Sequence, residues 1–327
     1  MKKYLYIIFT LLFLFLTEAN AQLFPTLGGQ RAGISAAQFL KIGVGARAAG
    51  LGDSFIAISD DASSLYWNPA GMAQFSKNEI IISHNVWVAD ISHDFLGVVY
   101  HLDSDNSFGA SLTAVTMDDM PVTTEFAPFG TGEYFGYTDI AVAISYSRKM
   151  TEQFSFGGNV KYVEETLDKL KMRGIMLDLG TYYRTGLGST RFAVTVTNFG
   201  GELAPDGEVT LIGNREVSEW QSFAPPTVFR IGFAFEPLEN EEHRLTTSIQ
   251  LNHPNDNSEN IGLGAEYAWQ KMFFLRGGYK FNVDEQNLSF GLGLEVPISI
   301  AEFSFDYSYT NFERLGSSHR FSIILSI

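Results

Sequence analysis

The chain has 327 residues and a formal net charge of −15, an acidic balance that argues against a nucleic-acid partner. It contains no cysteine, so a disulfide framework, a thiolate metal site and cysteine acylation are all excluded. Hydrophobic residues make up 45%, yet mean hydropathy is only +0.02, far too polar for a bundle of transmembrane helices. The chain opens with Met1-Lys2-Lys3, an uncharged run from Tyr4 to Leu16, and the small-x-small signature Ala19-Asn20-Ala21. These predict a secretory signal peptide over residues 1–21, cleaved before Gln22. The apolar run is too short for an anchor, which needs about 20 residues.

Residues 22–77 do not alternate. They carry Gly43-Val44-Gly45-Ala46-Arg47-Ala48, then Asp60-Asp61 and Trp67-Asn68-Pro69-Ala70-Gly71. Small residues permit close backbone packing, and Asp60 or Asp61 is placed to cap a short helix or, alternatively, to bind a divalent cation. Asn68-Pro69 then turns the chain. A compact glycine-rich segment ahead of a barrel is predicted to act as a hatch in its lumen. Gly43-x-Gly45-x-x-Ala48 fits a dinucleotide fingerprint only superficially, because no parallel βαβ unit surrounds it.

From about Asn78 to Ile327 there are fourteen strand-like runs. The earlier ones are approximately 78–90, 91–101, 106–117, 134–149, 152–167, 171–185, 189–199, 226–236 and 242–252. The run at 91–101 is apolar on both faces. Late in the chain, Leu263, Ala265, Tyr267 and Trp269 alternate with Gly264, Glu266 and Ala268, and Phe303, Phe305, Tyr307 and Tyr309 alternate with Ser304, Asp306 and Ser308. A period of two puts one set on each face of a strand. Aromatics suit strands and interfacial girdles, and the chain has 28 Phe and 14 Tyr. An exported chain with this pattern predicts an all-β fold: a 14-stranded antiparallel transmembrane β-barrel over 78–327, with the 22–77 hatch in its lumen. If the first strand starts in the periplasm, odd-numbered connections are extracellular and should be longer. The two longest, roughly 118–133 and 200–225, are the third and the seventh. An even strand count also returns the C-terminus to the periplasm.

Charges on the polar face of the late strands, namely Arg230, Glu236, Glu266, Arg276, Lys280, Glu295 and Asp306, are predicted to face the lumen. Arg or Lys pointing into lipid at the midplane costs about 2–4 kcal/mol. Two roles stay open for them: a structural ion-pair network that holds the hatch, or contact with a solute. His84, His93 and His101 lack a fourth ligand and define no zinc site, and there is no Gly-x-Ser-x-Gly elbow. The chain is therefore read as non-enzymatic, without cofactor or metal.

The runs Phe39-Leu40-Lys41-Ile42-Gly43-Val44-Gly45-Ala46-Arg47, Asp60-Asp61-Ala62-Ser63 and Trp67-Asn68-Pro69-Ala70-Gly71 resemble the PorV/PorQ family of outer-membrane proteins. That family is related to the long-chain fatty acid transporters, fourteen-stranded barrels with an N-terminal hatch. The resemblance implies the outer membrane of a Gram-negative bacterium. It makes Gly43, Gly45, Arg47, Asp60, Asp61, Trp67, Asn68, Pro69 and Gly71 the hatch motif. It implies a partner or docking factor in protein export or surface attachment, as in type IX secretion, with secretion-system proteins or cargo as partners. The alternative is a passive uptake channel for long-chain fatty acids or another hydrophobic small molecule, for which Phe55, Ile56, Leu65, Tyr66, Trp67 and Met72 are candidates to line an apolar pocket. A structural barrel with no transport role is a third reading. The last strand, with Phe321, Ile323, Leu325 and Ile327 in alternation, resembles the signal read by the barrel-assembly machinery. Outer-membrane lipid is a further partner, and the acidic loop Asn255-Asp256-Asn257-Ser258-Glu259 is either simply solvated or bridges cations to lipopolysaccharide.

Overall fold

The computed structural model describes residues 33–211, 215–217, 219–298 and 300–327. The signal-peptide reading of 1–21 and the start of the expected hatch, 22–32, lie outside the described residues.

Fourteen long strands form the wall: β1 (Glu79–Val86), β2 (Ser92–His101), β3 (Asn106–Thr116), β4 (Tyr137–Lys149), β5 (Phe154–Leu167), β6 (Leu170–Arg184), β7 (Arg191–Gly200), β8 (Val228–Glu239), β9 (His243–Pro254), β10 (Asn260–Trp269), β11 (Phe273–Phe281), β12 (Leu288–Ile298), β13 (Ala301–Asn311) and β14 (Ser317–Ser326). Each pairs antiparallel with its sequence neighbours. β14 then pairs with β1, from Glu79↔Ser326 to Val86↔His319, and closes the sheet into a barrel. Closure leaves no strand edge unpaired, which is the condition for β-structure in lipid.

Alternation along the strands maps onto the two faces. In β10, Gly262, Gly264, Glu266 and Ala268 are buried, while Leu263, Tyr267 and Trp269 are exposed on the outside. β2 explains its doubly apolar sequence. Leu96, Val98 and Tyr100 face out, whereas Phe95 and Val99 face in and pack on Leu65, Met72 and Ile81. Its inner face meets protein rather than water, so it is apolar too.

The connections after the odd-numbered strands lie at one end. Two of them, 117–136 and 201–227, are long, and we call this the long-loop end. The two short strand pairs Met120–Pro121 with Tyr134–Phe135 and Val209–Leu211 with Arg215–Val217 sit within these connections. The even-numbered connections and the C-terminus lie at the short-turn end. The fifth connection departs from the pattern: β5 and β6 run on to a turn at Asp168-Lys169, with Asp168 at φ 52°. The two strands are 14 and 15 residues long, so this hairpin gains its length in strand rather than in loop.

Residues 33–77 lie inside the barrel. They form short helical turns, among them α1 (Ala46–Gly50), α2 (Ser64–Trp67) and a 3₁₀ turn over Pro69–Gln74. Three apolar clusters join this inner segment to the wall. Phe55, Ile56 and Trp67 pack with Tyr182, Ala193 and Ala234. Phe39 and Leu40 pack with Val163, Met176 and Leu203, and Leu65 and Met72 with Ile81, Phe95 and Val99. Glycine on both sides brings backbone against backbone: a Cβ on Gly50 would lie 2.9 Å from Gly291 Cα.

Candidate functional site

The inner segment is tied to the wall by charge. Arg47, on α1, spans two groups of acids. Its Nε and Nη2 donate to the two oxygens of Glu266 at 2.9 and 3.0 Å, and its Nη1 donates to Asp60 Oδ1 at 2.6 Å and Asp61 Oδ2 at 3.0 Å. Arg276 continues the chain, giving Nε to Glu266 Oε2 at 2.7 Å and Nη1 to Asp306 Oδ1 at 2.5 Å. Lys280 pairs with Asp53. Arg191 holds both oxygens of Glu236 at 2.7 Å and reaches inward to Ala57 O at 2.9 Å. The motif residues Arg47, Asp60 and Asp61 thus meet the lumen residues Glu266, Arg276 and Asp306 in one network. Each buried charge in it has an opposite partner, as burial requires.

The aromatic part of the motif is structural. Trp67 donates Nε1–H to Val44 O at 2.8 Å and stands edge-on to Phe55 and Tyr66. A Cβ on Gly43 would lie 2.9 Å from the Trp67 ring, so glycine is required beneath it. Gly45 sits at φ 82°, where glycine is also favoured. Asn68 uses both ends of its amide: Nδ2 donates to Ile56 O at 3.0 Å and Thr181 O at 3.1 Å, and Oδ1 accepts from Ala70 N at 3.1 Å, just after Pro69. Gly71 packs on Ser59. Asp61 Oδ1 accepts from Ser63 N at 2.8 Å, ahead of α2, so the carboxylate steadies the turn that enters the helix.

Several wall residues escaped the sequence reading. Gln250 Oε1 accepts from Phe55 N at 3.0 Å and Ile56 N at 3.1 Å. Asn159 donates to Leu65 O at 2.7 Å, and Glu79 accepts from Ala62 N at 2.7 Å. These polar side chains satisfy backbone groups of an irregular buried segment, which would otherwise stay unpaired. Their only sequence signal is a large polar residue on an inward position. The three histidines are not brought together: His84 lies on the outer face against Asp94, while His93 is buried inside.

The apolar pocket expected around Phe55, Ile56, Leu65, Tyr66, Trp67 and Met72 is not where the sequence placed it. Phe55, Ile56, Leu65 and Met72 are fully buried in packed clusters, because the inner segment spends them on adhesion to the wall. The cavities beside the segment carry charged side chains among the apolar ones. One of about 310 Å³ at the short-turn end is bordered by Arg47, Asp60, Asp61, Arg276, Glu295 and Asp306. Another of about 210 Å³ at the long-loop end is bordered by Trp67, Arg230, Asn252, Asn260 and Lys280.

A latch at the long-loop end joins the inner segment to the connection after β9. Asp256 accepts from Gln38 Nε2 at 2.6 Å and from Lys41 Nζ at 2.9 Å. Burial alone would raise the Asp256 carboxyl, but the hydrogen bonds from Gln38 and Lys41 outweigh it and hold the group below its ordinary value. A depressed carboxyl stabilises above its unfolded pKa and loses that contribution as pH falls through the folded one. Protection of residues 33–45 against hydrogen exchange, taken relative to the intrinsic rate at each pH, is therefore expected to be flat from about pH 5 to 8 and to fall only below about pH 4. Asp256→Asn should open the latch at neutral pH, by about 1.5–3 kcal/mol of local stability. Equal exchange in the variant at pH 7 would show that the pair carries no load.

Comparison with known proteins places this geometry. The profile of the family described as Type IX secretion system protein PorV matches residues 27–254. No curated protein sequence matches the chain. Among solved structures, the toluene transporter TbuX of Ralstonia pickettii is similar in fold, at 13% identity and TM-score 0.58, over 87% of this chain and 97% of that one. The monoaromatic hydrocarbon channel CymD gives 15% and 0.58 over the same shares. The toluene transporter TodX of Pseudomonas putida gives 14% and 0.55, again over 87% and 97%. At such identities the likeness is one of fold alone. The profile covers well over half of the chain, and the protein belongs to the PorV family.

Proposed function

We propose that the protein is a non-enzymatic docking factor in the outer membrane of a Gram-negative bacterium, acting in protein export or surface attachment. The long-loop end faces the cell exterior in this reading, as longer connections do in outer-membrane barrels. The observation that carries it is the third connection, where Phe126 and Phe129 are 98% and 99% exposed. Two bare phenyl rings on a wet loop are unfavourable until a partner covers them. The partner is a secretion-system protein or its cargo, in keeping with the family.

The second reading, a passive channel for hydrophobic compounds, draws on the fold shared with hydrocarbon transporters. It needs an apolar path past the inner segment. The two cavities that flank the Arg47 network and Trp67 instead mix apolar side chains with charged ones, Arg47, Arg276 and Asp306 in the first and Arg230 and Lys280 in the second.

The paired substitution Phe126→Ser with Phe129→Ser separates the two. Docking predicts about tenfold or more weaker partner binding, a typical loss for truncated aromatic hot spots. Surface-attached exported protein, measured by protease shaving of intact cells, should fall with it, at unchanged barrel abundance. Normal surface attachment in the variant, together with fatty-acid uptake that depends on this protein, would favour the channel.

A further inference from the structure

We propose that the cavity of about 210 Å³ at the long-loop end is a binding site for a small hydrophilic carboxylate, with Arg230 as its anchor. This goes beyond the docking reading and does not depend on it.

Arg230 and Arg320 are buried arginines with no carboxylate partner among the described residues, and of these Arg230 borders this cavity. Arg47, Arg191 and Arg276 each hold at least one carboxylate at 3.0 Å or less. Arg230 is only 6% exposed, yet no acid pairs with it among the described residues. Its Nη1 donates to Thr197 Oγ1 at 2.7 Å, and its guanidinium carbon lies 5.9 Å from the centre of the Trp67 ring. Arg230 borders the cavity, and among the described residues its other N–H groups meet no carboxylate. A buried guanidinium without a counter-ion is costly, and an anion in the cavity removes that cost.

The neighbouring charges leave the excess at Arg230. Lys280 is matched by Asp53, and Lys41 by Asp256. The amides then make the far wall a donor. Gln250 Oε1 is committed to two backbone N–H groups, so its Nε2 must point to Asn252 Oδ1, at 2.7 Å. Asn252 Nδ2 in turn donates to Asn260 Oδ1 at 2.7 Å. Asn260 Nδ2 is left as a donor at the end of this relay. A planar fork on one side and an amide donor on the other suit a carboxylate. The Trp67 face supplies an apolar floor for the few carbons that such a small cavity admits.

A carboxylate can arrive here as a free solute or as the C-terminus of a chain. The test uses the full mature barrel, refolded in detergent, with calorimetric titration of succinate, a free tetra-alanine and its C-terminal amide, each up to roughly 10 mM. Saturable binding of succinate or of the free tetrapeptide, with none of the amide, is expected. Competition between succinate and the peptide places both in one site. Binding of the peptide alone assigns the chain terminus as the source, and binding of succinate alone assigns the solute. Arg230→Gln should weaken binding about tenfold or more, and Arg314→Gln, an exposed arginine at the same end paired with Glu285, should not. Because Arg230 has no acid to abandon, Arg230→Gln should unfold at the same or higher denaturant. A second variant, Asn260→Asp, leaves Arg230 in place and should abolish binding by putting a negative charge at the donor end. Absence of saturable binding by any of these probes, or equal binding in Arg230→Gln and Asn260→Asp, overturns the proposal.

Discussion

Replacing Glu266 by glutamine is expected to lower the stability of the folded barrel by about 3–5 kcal/mol, the usual cost of breaking a buried ion pair from one side. Glu266 is 1% exposed and receives Arg47 and Arg276 together, with Arg244 Nη2 a further 3.9 Å away. Glutamine keeps the shape but removes the charge and one acceptor. Two guanidiniums would then share a lumen with less negative charge than they were placed against. Asp306→Asn is expected to cost less, because Arg276 keeps Glu266. The measurement is the urea midpoint of refolded barrel, read from the heat-modified band. The same network anchors α1, so the Glu266 variant should also expose the chain near Arg47 to protease before the wall unfolds. Identical midpoints for wild type and Glu266→Gln would show that the network is incidental to stability.

Much of the wall was legible because a strand writes its facing into every second residue. β10, β12 and β13 alternate over their length, and loop parity then agreed with the count of fourteen strand-like runs. β2 resisted this reading because its inner face is covered by Leu65 and Met72, a contact that no local pattern carries. A lumen facing for the charges of the late strands was readable as an expectation, since lipid disfavours them on the other face. Their pairing was not. Arg47 and Glu266 are 219 residues apart, and Gln250 is 195 from the Phe55 N–H that it receives. The apolar residues of the inner segment were misplaced for a related reason. Composition shows that Phe55, Ile56 and Met72 avoid water, but not whether a ligand or the barrel wall covers them. The wall covers them, and polar side chains border the cavities.

Phe305→Arg is expected to cost about 2–4 kcal/mol of barrel stability, and Ser304→Arg close to none, although the two positions are adjacent. Phe305 lies near the middle of β13, is 38% exposed on the outer face, and has Leu294 and Ile323 as cross-strand partners. All three present apolar surface to the position of lipid, so a guanidinium there meets hydrocarbon with no counter-charge. Ser304 points the opposite way. It borders the cavity at the short-turn end beside Glu295, Glu302 and Asp306, where a new cation finds acids and water. The folded fraction after refolding into lipid vesicles, read as the unheated fast-migrating band, measures the difference. A loss of 2–4 kcal/mol on a marginal refolding equilibrium moves most of the Phe305 variant to the unfolded band, while the Ser304 variant should match wild type. Equal folded fractions for the two variants would mean that β13 is turned the other way, and with it Asp306, the acid that closes the Arg276 end of the charge network.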